Sequence, residues 1–327
     1  MNVADALLKR NLIPVLNHSN DTYRLIENEG RRAATGLLRR QGAVVHVAIS
    51  HSTKSNAYTF RVGHGYVITV TDSLLRRLEE AIIGYLDTTE IRKFILTTLG
   101  IEYASGKPWP TGMTWGAKPA SQRVEITKDT RIALFYEIFD AASFFSVLHE
   151  IAHIGNGDVD GNRVRHPDPY VMLKELADMD SYGGGTSGGD KNRTERFAEF
   201  DADRNAACWM MQMLLRKYVE EPVEPDPYAV THLVLAAFGM IAAILHIAHH
   251  QPDTPEVMSK IDHPSFNIRI IGIWEGAKEV LQDPNGPVGL DNASIILLAI
   301  GRLCRAMETL ILGAPSEDFP FTFIAEL

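Results

Sequence analysis

The sequence predicts a mainly α-helical α+β domain carrying one small antiparallel sheet. Three observations lead there. Apolar residues recur at three- and four-residue spacing along most of the 327 positions, as packed helices require. Residues 45–70 alternate instead, large apolar side chains standing between polar or small ones, which is the period of strands. The stretch from Ser146 to Gly155 then reads as one helix bearing two histidines four apart, and the sheet is expected beside it.

In chain order, residues 1–40 read as helix through Ala4, Leu7, Tyr23, Ile26, Ala33 and Leu37, interrupted at Pro14. Val45, Val47 and Ile49 make a first strand. Tyr58, Phe60 and Val62 pair with Tyr66, Ile68 and Val70 as an antiparallel hairpin turned at Gly63 and Gly65. Helices follow from Asp72 to about Asp87 and from Thr89 to Leu99, ended by Gly100. Residues 103–122, rich in proline and glycine, read as a loop exposing Trp109 and Trp115, and Arg123–Thr127 as a short strand. Asp140 is expected to cap the next helix, with Phe144, Phe145, Leu148 and Ile151 inward and Gly155 and Gly157 as its stop. The glycines of 183–189 lack the strand-to-helix flanks of a phosphate loop and read as a flexible segment near a cleft.

A helix starts near Thr194, and Tyr228–Ile247 is strongly apolar. The latter carries His232 and His246 and no flanking basic cluster, so it reads as a buried core helix rather than a membrane span. Residues 264–281 and 291–312 are two further helices, capped by Ser265 and Asp291, the second stopped by Gly313. The whole is expected as a single domain over 1–327, with 1–40 a helical extension, 41–282 the core and 283–327 a C-terminal helical segment.

Composition limits the functional classes. A net charge of −9 argues against a nucleic-acid surface, which needs an excess of Lys and Arg. Two cysteines, Cys208 and Cys304, make no disulfide framework and suit buried helical positions. The N-terminus lacks the basic-then-apolar pattern of a signal peptide, so a cytoplasmic location is expected.

The chemistry concentrates at His149-Glu150-Ile151-Ala152-His153. Histidines at i and i+4 point from one helical face and can reach one Zn²⁺, while Glu150 falls beside the metal, where a bound water would sit. A catalytic zinc needs a third protein ligand and an open position. Asn156 and Val159 exclude the metzincin pattern, which has glycine and histidine there. An acid from a second helix must then serve. Glu199 and Asp203, four apart, share a face, so that one can bind metal while the other holds the far nitrogen of a histidine. Glu195 shares the Glu199 face and competes with it; Asp158 and Asp160 are lesser candidates, and Asp201 points elsewhere.

The segment Glu199-Phe200-Asp201-Ala202-Asp203 resembles the E-x-x-A-D signature of the HtpX, Oma-type and CAAX-prenyl endopeptidases, a gluzincin family. Three more stretches agree in order: Asn56-Ala57-Tyr58 through Val67–Thr71 with Leu74-Leu75, then the histidine helix, then His263-Pro264 with Arg269-Ile270. Ser73 departs from that family's glycine, and its membrane spans are absent or reduced to Tyr228–Ile247. A soluble bacterial relative, of the phage-exclusion protease kind, is a neighbouring likeness.

The resemblance implies a zincin-like metallopeptidase fold with Glu199 as third ligand and Asp203 as its outer partner. It further implies Asn56, Ala57, Tyr58 and Arg269 as substrate-binding residues, an extended polypeptide pairing with the strand near 56–61. His263, with Arg269, is expected to approach the oxyanion. The expected function is therefore zinc-dependent endopeptidase, one Zn²⁺ per chain, with Glu150 as general base. The alternatives are a non-catalytic protein using zinc as a staple and a narrow-specificity defence protease needing a trigger.

Overall fold

The structure, a computed structural model, describes residues 3–15, 21–103, 109, 129–160, 190–220, 227–247, 266–283 and 290–312. It is mainly helical with one four-stranded sheet. The helices are α1 (Val3–Leu8), α2 (Asp21–Leu37), α3 (Asp72–Asp87), α4 (Thr89–Leu99), α5 (Thr130–Gly155), α6 (Asp190–Glu220), α7 (Pro227–Ile247), α8 (Phe266–Leu281) and α9 (Leu290–Leu312). The strands are β1 (Ile13–Pro14), β2 (Val44–His51), β3 (Ala57–Val62) and β4 (Gly65–Thr71). His263, the cap Ser265, the stop Gly313, the segments 110–122 and 183–189, the expected strand Arg123–Thr127 and the side chain of Glu195 lie outside what is described.

Helix α5 is the axis of the molecule. It packs against α2, α3, α6, α7 and the sheet, and most of its side chains are buried. It begins well before Asp140. Asp129 is the cap, its carboxylate accepting from Arg131 N at 3.0 Å. The correction has a simple cause: Ile132, Leu134, Phe135, Ile138 and Phe139 supply apolar surface on all sides with no breaker, so the helix runs through position 140. Among the described residues α5 is the one helix long and apolar enough to cross a membrane, yet 72% of that stretch is buried inside the protein.

Helix α7 lies along α5, with residues 233–245 all buried. Gly239 makes that approach possible, because a Cβ there would fall 2.6 Å from the Ile138 carbonyl oxygen. Gly276 does the same for α8 against α6, where a Cβ would collide with the Arg204 carbonyl. These two contacts seat α7 on α5 and α8 on α6.

The sheet order is β1-β2-β4-β3, and it is mixed rather than antiparallel. The expected β3–β4 hairpin forms with Gly63 at φ +63°, but β4 inserts between β3 and β2. Successive strands alternate in direction, so the return strand necessarily runs parallel to β2, with Val45 opposite Tyr66 and Ile49 opposite Val70. The expected N-terminal helix is likewise divided. Ile13–Pro14 pairs with Ser50 and His51 as an outer strand, a position that tolerates proline.

One face of the sheet, with Val45, Val47, Ile49, Ile68 and Val70, joins the α5 core. The other, with Phe60 and Val67, is covered by Ala6, Leu7 and Leu12. Trp109, expected to be exposed, is partly buried. Its indole donates to Asp87 at 2.8 Å, and the Arg131 guanidinium lies 4.1 Å above its ring.

Candidate metal centre

Three helices bring the centre together. The last two turns of α5 present His149 and His153, α6 presents Glu199 and Asp203, and the start of α8 presents Arg269. The i, i+4 spacing on α5 and again on α6 puts each pair on the face turned toward the other helix.

The two Nε2 atoms lie 3.1 Å apart. Glu199 faces both, with Oε2 at 3.4 Å from His149 Nε2 and Oε1 at 3.5 Å from His153 Nε2. Ligand atoms about 2.0–2.2 Å from a shared tetrahedral ion stand roughly 3.3–3.5 Å from one another. The donor set therefore fits a zinc-sized divalent cation, and these three side chains form the candidate metal-binding group among the described residues.

Each histidine turns its other nitrogen to a carboxylate. His149 Nδ1 lies 2.8 Å from Asp203 Oδ1, and His153 Nδ1 lies 3.0 Å from Asp158 Oδ2. Such outer carboxylates fix ring orientation and leave Nε2 aimed at the ion. Asp203 is itself gripped by Arg269, whose Nε and Nη2 donate to its two oxygens at 2.6 and 2.8 Å. Asp203 and Arg269 are both fully buried, and Arg269 also comes within 3.6 Å of Glu199.

The electrostatics follow from this packing. Burial alone would lower the His149 pKa, but Asp203 and Glu199 outweigh it and raise it. For His153 burial is again opposed, here by Asp158 and Glu199, and its pKa stands well above the usual value. Burial would raise that of Asp203, yet the Arg269 charge and hydrogen bonds prevail and hold it low. Arg269 is pushed up by the same carboxylate against the effect of burial. Without a metal, the imidazoles are thus positioned to hold protons that an ion must displace.

Glu150 sits at the same centre, buried at 6% exposure, and its charge acts on both His153 and Arg269. Its backbone carbonyl accepts from Thr59 Oγ1 at 3.4 Å, which sets β3 directly beside the histidine helix. Ala57 is buried, Asn56 is tied through its backbone to Thr71, and Tyr58 faces the α1 side of the sheet. Arg269 is corrected most. Expected to meet substrate, it is buried and paired with Asp203, where its charge and two hydrogen bonds offset the burial of that carboxylate.

Two residues carry roles that sequence reasoning did not assign. Asp158 is the outer partner of His153, although the sequence suggested it only as a rival ligand. Asp160 accepts from Arg61 at 3.1 Å and from the Tyr66 hydroxyl, tying the turn after α5 to the β3–β4 hairpin. The signal was available in the aspartates two apart just beyond the motif: the partner of Asp158 is five residues back, whereas those of Asp160 lie 94 and 99 residues away.

No curated protein and no solved structure matches this chain. A family model does, that of Peptidase U49, over residues 93–282. The matched run holds α5, α6 and α8, and with them every side chain from His149 to Arg269 in the group described, while the sheet falls outside it. It covers more than half of the chain, and on that ground the protein belongs to the Peptidase U49 family, a family of peptidases.

Proposed function

We propose that this peptidase is a zinc-dependent endopeptidase whose metal is held by His149, His153 and Glu199. The observation that carries the reading is the mutual spacing of those three ligating groups, each histidine backed by a carboxylate on its far nitrogen. A Zn²⁺ ion held there would bring the pKa of a bound water toward about 7 and polarise a peptide carbonyl.

The chain's own residues do the rest. Glu150 takes the proton as water attacks the carbonyl carbon and delivers it to the departing amine. Asp203, clamped by Arg269, holds His149 with Nε2 forward, and Asp158 does so for His153. Strand β3, at the sheet edge among the described residues, offers its backbone to an extended polypeptide. His263 is assigned to the oxyanion by the likeness to the HtpX group, which also supports the gluzincin reading.

The test is Glu150→Gln. It is expected to keep zinc at the wild-type level while losing nearly all hydrolysis of unfolded protein. Equal cleavage by the two proteins removes Glu150 from the mechanism. Full zinc occupancy with no cleavage by the wild type would instead favour a metal used as a staple.

A further inference from the structure

A cleft of about 400 Å³ lies along β3 on the side away from the histidines. Residues 58–60 of β3 form one wall, the turn carrying Arg10 and Asn11 forms another, and the 52–54 loop closes one end. Its charge is one-sided. Arg10 and Lys54 line it together with Ser52, Thr53 and Tyr58, and among the described residues no carboxylate lines it. In a chain of net charge −9 this is a local reversal of sign.

The two cations differ. Arg10 is partly committed, donating to the Ala6 carbonyl at 3.2 Å with its guanidinium 3.9 Å above the Phe60 ring. Lys54 has no ion-pair partner among the described residues and is exposed at the mouth. Asn11 holds the turn with a left-handed backbone, φ +58°, which asparagine tolerates.

The strand links this cleft to the centre. Thr59 points to the Glu150 carbonyl, while Phe60 and Tyr58 pack on the α1 side. Side chains of a peptide added to β3 alternate in the same way. When one residue of such a peptide faces the histidines, its neighbours face the cleft. We infer that the cleft is a specificity subsite for an acidic side chain of the polypeptide substrate, with Lys54 as its chief discriminating residue. This rests on the endopeptidase reading for the identity of the ligand, and on the cleft and the edge strand for its place and charge.

The experiment uses the full chain with Glu150→Gln and a set of fluorescent peptides carrying Asp, Asn or Lys at each position in turn, read by anisotropy. Cleavage of the same peptides by the otherwise wild-type chain runs in parallel. Binding is expected to favour Asp at one position, and Lys54→Glu should reverse that preference, weakening the Asp peptide by roughly five- to tenfold, as one exposed charge pair allows. Preference without dependence on Lys54, no charge preference, or no peptide binding would each overturn the subsite. Equal competition by inorganic phosphate would also overturn it, marking a plain anion site. Charge-selective binding reversed by Lys54→Glu without any cleavage would leave the subsite standing and defeat the endopeptidase reading instead.

Discussion

The two histidines stand one helical turn apart, yet the halves of the centre they belong to are held by different parts of the molecule. The inner half, His149 with Asp203 and Arg269, is excluded from water and spans α5, α6 and α8. The outer half, His153 with Asp158, is partly exposed and local, spanning five residues of one turn. Asp160 then ties that turn to the hairpin. A buried ionic chain across three helices can exist only when the helices are docked, so the inner half is bound up with folding itself. The outer half can loosen without the core noticing. The same chemistry, a carboxylate behind an imidazole, is therefore part of the docked core on one side and of a partly exposed turn on the other.

The sharpest way to break this contrast is Arg269→Met, which leaves the Asp203 carboxylate buried without its cation. Urea unfolding should show a loss of about 3–5 kcal/mol. A loss below about 1 kcal/mol would mean that the inner half is not what docks α8. Next, Glu199→Ala should leave the purified protein short of metal while Glu195→Ala does not, judged by metal analysis. The opposite pattern would move the third ligand one turn along α6. Asp158→Asn should weaken metal binding about tenfold with an unchanged urea midpoint. Unfolding resembling that of the Arg269 variant would erase the distinction between halves.

The smallest effect concerns pH. Both histidines have raised pKa values in the metal-free fold, so they contribute stability that is complete below the ordinary 6.5 and is lost as pH rises through the raised values. Stripped protein should therefore lose melting temperature as pH rises above about 6.5. The zinc-loaded form should move the other way, since ligands must shed protons to bind metal. Parallel trends in the two forms would show that the imidazoles are neutral before metal arrives.

Much of the centre was legible beforehand because helical geometry is local. His149, His153, Glu199 and Asp203 follow from two i, i+4 pairs, and each pair faces one way whatever the rest of the chain does. The hairpin at Gly63 was legible for the same reason. What escaped depended on distant partners. Asp140 sits in a run so apolar on all sides that an upstream cap wins, and the β2–β4 pairing needs β4 to insert where no local signal places it. Arg269 resembled a substrate contact by its motif, but its neighbour Asp203 lies 66 residues back along the chain.

Local sequence was enough to bring out His149, His153, Glu199 and Asp203, Glu150 beside them and the helices that carry them, since the α-helical repeat sets which residues share a face. It took the docked fold to turn Arg269 inward onto Asp203 and to make the sheet mixed with β3 at its rim. Those choices come from burial and long-range pairing, in which a charge or a backbone group must find its partner wherever docking puts it, and no short window of sequence contains both.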